Sequence, residues 1–121
     1  LLDYQTFAII TSDVGLDECS TVGNSTIFIY RNGMQSEIII DPKEYGFHYE
    51  LQDITVAEDS LAIDNAHLFK KIITTNDLSH PIAQLIIFNA AVIMHIIDEK
   101  IAIKDAIKKV SLNITKLNCF F

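Results

Sequence analysis

The order of apolar and polar positions divides the chain into a strand-forming first third and a helix-forming remainder. Residues 6–11 (TFAIIT) are a short apolar run between polar flanks, the pattern of a buried strand. Residues 25–30 (STIFIY) alternate and are rich in β-branched and aromatic side chains, and residues 35–40 (QSEIII) alternate weakly before turning fully apolar. Asn32-Gly33 lies between these two runs. Asn-Gly tolerates the positive φ angles of a tight hairpin turn, so the two runs are predicted to pair. Asp41-Pro42 ends the second run, because proline cannot donate to a strand ladder. Residues 42–47 (PKEYGF) then read as one helical turn closed at Gly46, and residues 48–55 as irregular.

From there the apolar period changes to that of helices. The first is predicted over 57–74, with an apolar stripe of Leu61, Ala62, Leu68, Phe69, Ile72 and Ile73. Glu58 and Asp59 at its start and Lys70 and Lys71 near its end suit the helix dipole. The second, over 80–97, places Pro81 at the first helical position and is apolar nearly all round, as a central helix would be. The third, over 102–117, is amphipathic. The expected fold is α/β: a partial sheet, made of a buried strand plus a β-hairpin, packed with three C-terminal helices. Three strands make a thin sheet, and the first strand's free edge points to missing sequence upstream. Residue 1 is Leu, not Met, so either a leader was removed or the reading starts inside a longer protein.

Composition narrows the function. The 121 residues suffice for one small domain, and half of them are hydrophobic, which excludes a disordered chain. Nine basic residues against 16 acidic give a net charge of −7, and Arg31 is the sole arginine. Lys100, Lys104, Lys108 and Lys109 fall on one helical face, which reads as a solvated surface. Neutralising phosphates takes clustered basic groups, so a nucleic-acid partner is not expected. Cys19 and Cys119 form no metal-finger spacing and point to a reducing, cytoplasmic setting. The apolar stretch 82–97 contains Gln84, Asn89 and His95 and falls short of the roughly 20 residues of a membrane span.

Few residues offer chemistry. The histidines do not cluster, no nucleophile-elbow pattern occurs, and four glycines cannot build a phosphate loop. No complete active site is present. Asn65 and Asn89 are unusual within helices, and Asn89 is expected to brace a neighbouring loop or helix end. Gly15-Leu16-Asp17-Glu18 is the strongest segment, since it follows the first strand at its carboxyl end, where open α/β sheets place ligands. Two like charges about 4 Å apart repel by roughly 4 kcal/mol at an effective dielectric of 20. A hard divalent cation removes that repulsion, and Mg²⁺ takes one or two carboxylates together with water and substrate phosphate. A solvated acidic loop is the plain alternative.

The run from Gly15 through Thr26 resembles the second half of the anthranilate phosphoribosyltransferases, in which a strand ends in GLDE or GIDE before a Ser, a small-residue loop and a hairpin. The resemblance continues through Ile40-Asp41-Pro42-Lys43-Glu44-Tyr45-Gly46-Phe47, Ala57-Glu58-Asp59-Ser60, Asp64-Asn65-Ala66 and Asn89-Ala90-Ala91. It implies the large α/β domain of the nucleoside phosphorylase/phosphoribosyltransferase fold, with residues 1–121 as its carboxyl-terminal portion. It also implies an enzyme of tryptophan biosynthesis that moves phosphoribosyl from phosphoribosyl pyrophosphate to anthranilate, as a homodimer of the full-length protein. Asp17 and Glu18 match the family's magnesium-binding acidic pair. The family's helical amino-terminal domain, glycine-rich diphosphate loop and Lys-His-Gly-Asn segment are absent from the chain. Thr11-Ser12-Asp13-Val14 stands where many members carry His-Gly, and Asn118-Cys119-Phe120-Phe121 is an unusual apolar finish. The fragment is therefore expected to be inactive alone. Two other readings stay open: a fragment of a pyrimidine-nucleoside phosphorylase-like enzyme, and a non-catalytic remnant acting as a binding or structural module.

Overall fold

The computed structural model describes residues 6–55 and 62–116. The chain forms two compact units, Leu1–His48 and Tyr49–Phe121. In the first, β1 (Thr6–Ser12), β2 (Ser25–Arg31) and β3 (Met34–Ile40) make an antiparallel sheet in the order β1-β2-β3. The predicted hairpin is present, with Arg31 opposite Met34 and Asn32 and Gly33 at φ 49° and 82°. Positive φ at both central residues is what a two-residue turn needs to match the strand twist.

Alternation along β2 sets the two faces of the sheet. Ser25, Ile27 and Ile29 are buried, whereas Phe28 is 45% exposed. The register places Phe7 opposite Tyr30 and Ile9 opposite Phe28, so these four share the more open face. The Phe7 and Tyr30 rings stack there, with centroids 5.1 Å apart and planes 19° from parallel.

β1 forms as expected but is not the buried strand its sequence predicts. Within it only Ser12 is buried, and Ile9 is 59% exposed. β1 is an edge strand paired only with β2, and its apolar outer face stays open among the described residues. A continuous apolar run shows what a strand would gain by burial, not whether both faces are covered.

After β3, the Asp41 carboxylate accepts from the Lys43 amide at 2.9 Å and caps a 3₁₀ turn over Pro42–Tyr45. Gly46, at φ 90°, ends that turn as predicted.

The second unit begins with α1 (Leu51–Ile54), a single helical turn where the sequence reads as irregular. The Asp53 carboxylate accepts from the Glu50 amide at 2.8 Å, closing a capping box that starts with Glu in place of the usual Ser or Thr. Then come α2 (Ala62–Thr75), α3 (Pro81–Ile97) and α4 (Ile103–Ile114). The predicted first turn with Glu58 and Asp59, the apolar Leu61, Leu117 at the last helix end, and Cys119 lie outside the described residues.

Asn76, left-handed at φ 56°, closes α2, and the Asp77 amide reaches back to the Ile72 carbonyl at 3.1 Å. His80 then caps α3, its Nδ1 accepting from the Ile82 amide at 3.2 Å. The Gln84 side-chain amide donates to the Leu78 carbonyl and ties the connection to the helix.

Ile73, Ile87 and Ile114 meet at the junction of α2, α3 and α4, with Phe69, Leu78, Ile86, Ile107 and Val110 packed around them. Burying each such isoleucine contributes about 1.5–3 kcal/mol. α3 buries Ala83, Leu85, Ile87, Phe88, Ala91 and Val92, but Ile93 and Ile97 are 51% and 76% exposed. It is central on one side only. Lys104, Lys108 and Lys109 are exposed on α4, but Lys100, also exposed, lies in the turn before the helix and not on its face; Lys108 lies 3.8 Å from Asp105. Among the described residues no helix is long and apolar enough to cross a membrane.

Candidate functional site

The β1–β2 connection holds the acidic pair singled out in the sequence, and it is tightly organised for a loop. β1 ends at Ser12, and the Asp13 amide donates to the Asn24 carbonyl at 2.9 Å, drawing the two ends of the connection together. Gly15, at φ 80°, turns the chain, and its amide bonds the Ser12 carbonyl at 3.1 Å. Leu16 is next, held by Ser12: its amide donates to Ser12 Oγ at 3.0 Å, and its carbonyl accepts from the Ser12 amide at 3.2 Å.

Asp17 and Glu18 follow, both exposed, and then Cys19, Ser20 and Thr21 turn inward and are buried. The Ser20 amide donates to Ser25 Oγ at 2.9 Å. Ser20 Oγ accepts from the amides of Val22 and Gly23 at 3.0 and 3.3 Å. The two carboxylates therefore sit at the crest of a loop whose rising and descending limbs are both hydrogen-bonded.

Partial burial, and secondarily the neighbouring Asp17 charge, raise the Glu18 carboxyl above the ordinary glutamate range. A cation placed between the two groups would reverse the second effect. Cys19 offers no thiolate to such an ion. Burial pushes its thiol up to about 11, the Ser25 hydrogen bond draws it down, and the Glu18 charge adds to the rise. It stays neutral near pH 7.

Among the described residues no group of three or more His, Cys, Asp or Glu side chains could hold a metal ion. A cation at Asp17 and Glu18 would find only their two carboxylates among the described residues, too few for a closed protein cage. Such a pair fits Mg²⁺, which completes its octahedron with water and substrate phosphate.

The other polar residues singled out in the sequence do not join this pair. Asn89 Nδ2 donates to the Leu85 carbonyl one turn back in its own helix, at 3.0 Å. His95 Nδ1 lies 2.8 Å from the Ile101 carbonyl beyond the end of α3, and His80 serves as a helix cap. A groove of about 380 Å³ in the helical unit is lined by apolar side chains, among them Phe69, Ile86, Met94 and Ile114, with Lys109 and Asn113 at its polar edge on α4. It lacks the converging polar groups that orient a substrate. Sequence reasoning missed Ser12 and Ser25, whose roles depend on strand register; the only signal was their position at two strand ends.

A family model described as the glycosyl transferase family, a/b domain, matches residues 1–116, and the chain belongs to this family. It is similar to the anthranilate phosphoribosyltransferase of Teredinibacter turnerae, with 34% identity over 102 residues, covering 82% of this chain and 29% of that protein. The Legionella pneumophila enzyme of the same name is 24% identical over 115 residues, covering 93% of this chain and 32% of that protein. The chain thus spans less than a third of the length of the curated relatives it matches. Its fold is similar to that of the Saccharomyces cerevisiae anthranilate phosphoribosyltransferase in complex with 4-fluoroanthranilate, with TM-score 0.75 and 22% identity over 93% of this chain and 32% of that one. The yeast enzyme in complex with PRPP and Mg gives TM-score 0.74 at 22% identity, with the same coverage.

Proposed function

We propose that this chain is the carboxyl-terminal portion of an anthranilate phosphoribosyltransferase and supplies its magnesium-binding acidic pair, Asp17 and Glu18. The whole enzyme would move the phosphoribosyl group of phosphoribosyl pyrophosphate to the amine of anthranilate and release pyrophosphate. The same reading makes the full-length protein a cytoplasmic homodimer.

One observation carries the proposal. The GLDE segment presents two adjacent exposed carboxylates on a hydrogen-bonded loop, in a chain matched by the family model from residue 1 to 116. The names of the relatives support the choice of substrates.

A bound Mg²⁺ would supply charge neutralisation at the departing pyrophosphate. Asp17 and Glu18 contribute two anionic oxygens to that end. Their exposure leaves room for phosphate ligands, and the Ser12 and Ser25 hydrogen bonds hold their loop in place. The chain spans less than a third of the relatives' length, and on this reading the rest of the enzyme excludes water and binds the acceptor amine, so the chain alone is expected to be inactive.

The test is calorimetric titration of the 121-residue chain with Mg²⁺ in the presence of inorganic pyrophosphate. It is repeated on an Asp17→Asn/Glu18→Gln variant whose fold is checked by circular dichroism. The wild-type chain should bind and the double variant should not; equal binding by both would overturn the assignment. Fluorescence of anthranilate with phosphoribosyl pyrophosphate and Mg²⁺ should show no turnover by the chain alone, and turnover would overturn the statement that it is inactive.

A further inference from the structure

Ser12 is the last residue of β1 and Ser25 the first of β2, and the strand register sets them directly opposite each other. Both are buried, at 9% and 1% exposure. Ser12 Oγ accepts from the Leu16 amide at 3.0 Å and donates to the Leu16 carbonyl at 3.3 Å, so this one hydroxyl holds both polar groups of the residue before Asp17. Ser25 Oγ accepts from the Ser20 amide at 2.9 Å and hydrogen-bonds the Cys19 thiol, so it holds the two residues after Glu18. A facing pair of hydroxyls therefore grips the chain on either side of the acidic pair and nowhere within it.

We infer that Ser12 and Ser25 are positioning residues, a cross-strand clamp that fixes the backbone of the loop presenting Asp17 and Glu18 to a divalent cation. The inference rests on the reading of Asp17-Glu18 as metal ligands. Its physical basis is preorganisation. Two carboxylates on a free loop must lose conformational entropy and approach against their own repulsion each time a cation binds. On a clamped loop that ordering is already done when the chain folds. The clamp is anchored in the sheet, because each hydroxyl belongs to a residue inside the β1–β2 ladder. Ser12 and Ser25 bond the residues that flank Asp17 and Glu18, not the carboxylates themselves, so they act on a bound cation through the backbone of the loop.

The experiment measures Mn²⁺ binding, as a paramagnetic stand-in for Mg²⁺, by electron paramagnetic resonance on the 121-residue chain with inorganic pyrophosphate present. The chains compared are wild type, Ser12→Ala, Ser25→Ala, Ser25→Thr and Asp17→Asn/Glu18→Gln, with the amide spectrum of β1–β3 recorded for each. Ser12→Ala and Ser25→Ala are expected to weaken Mn²⁺ binding by about threefold or more with the sheet amides in place, less than the roughly tenfold or greater effect of a direct partner of a metal ligand. Ser25→Thr, which keeps the hydroxyl, is expected to recover most of the loss. Unchanged affinity in both alanine variants, with the sheet intact, overturns the clamp while the metal reading stands. If Ser25→Ala loses the sheet, Ser12→Ala decides, since its hydroxyl touches the loop only at Leu16. A wild-type chain that binds Mn²⁺ no better than the Asp17→Asn/Glu18→Gln variant overturns both, and so marks the failure as that of the metal reading.

Discussion

Gly23 and Val14 face each other across the β1–β2 connection so closely that a β-carbon on Gly23 would stand 2.9 Å from Val14 Cγ1. The φ angle of Gly23 is not in the left-handed region, so its constraint is space. The contact lets the two limbs of the loop close under Asp17 and Glu18, alongside the bond from the Asp13 amide to the Asn24 carbonyl. Both residues are half-buried and the Val14 methyl can give way in part, so Gly23→Ala is expected to destabilise the chain by about 1 kcal/mol, the low end of the cost of overpacking. Urea denaturation checks this, and adding Val14→Ala should recover part of the loss. No recovery would mean that the clash is relieved elsewhere.

Thr21 is 1% exposed, and among the described residues its hydroxyl has no hydrogen-bond partner. A buried hydroxyl without a partner carries its desolvation cost uncompensated. Thr21→Val keeps the shape, removes the hydroxyl and leaves no partner behind. It is expected to stabilise the chain by about 1 kcal/mol. A measured loss of stability would show that a bound water satisfies the group.

Glu18 makes stability depend on pH with a definite sign. Its folded carboxyl titrates above the ordinary glutamate range, so between the ordinary and the raised value the folded state holds more protons than the unfolded state. Its contribution to stability therefore falls as pH rises through that window, and stays unfavourable above it. Burial is the larger cause and the Asp17 charge the smaller. Asp17→Asn should therefore lower the Glu18 titration midpoint without bringing it fully back to the ordinary value. Carbon-detected NMR of the side-chain carboxyl, followed against pH, reads this directly. A midpoint that does not move in Asp17→Asn would show that the two carboxylates do not sense each other.

His80 is an unusual cap for α3. Its Nδ1 accepts from the Ile82 amide, a task that the short side chains of Ser, Asp and Asn perform better. His80→Ala is expected to cost about 0.5–2 kcal/mol through the lost acceptor. His80→Asp should retain the cap and add a favourable charge at the helix N-terminus. Thermal unfolding of the two variants beside wild type gives the order Asp at or above His, and His above Ala. An alanine variant as stable as wild type would remove the cap from the account of this helix.

Much of the fold was legible because its signals are local. Asn32-Gly33 specifies a turn by the φ angles it tolerates, Pro81 marks a helix start, and Gly46 marks the end of the turn before it. α1 was not legible, since a box of Glu50 and Asp53 lacks the hydroxyl residue by which such starts are recognised. Nor could the apolar runs of β1 and α3 report that Ile9 and Ile97 would remain exposed, because hydrophobicity measures the gain from burial and not the presence of a neighbour.

By itself the sequence determined which residues carry charge and which local turns form: an acidic pair after a strand, a hairpin, the turn closed at Gly46 and the helix that starts at Pro81. The tertiary structure decided how that pair is held. Ser12 and Ser25 are separated along the chain and unremarkable as residues, and only the antiparallel register of β1 and β2 puts their hydroxyls on either side of Asp17-Glu18. Hydrogen bonds act over about 3 Å, so which distant groups make them is fixed by strand pairing and burial, which no local pattern encodes.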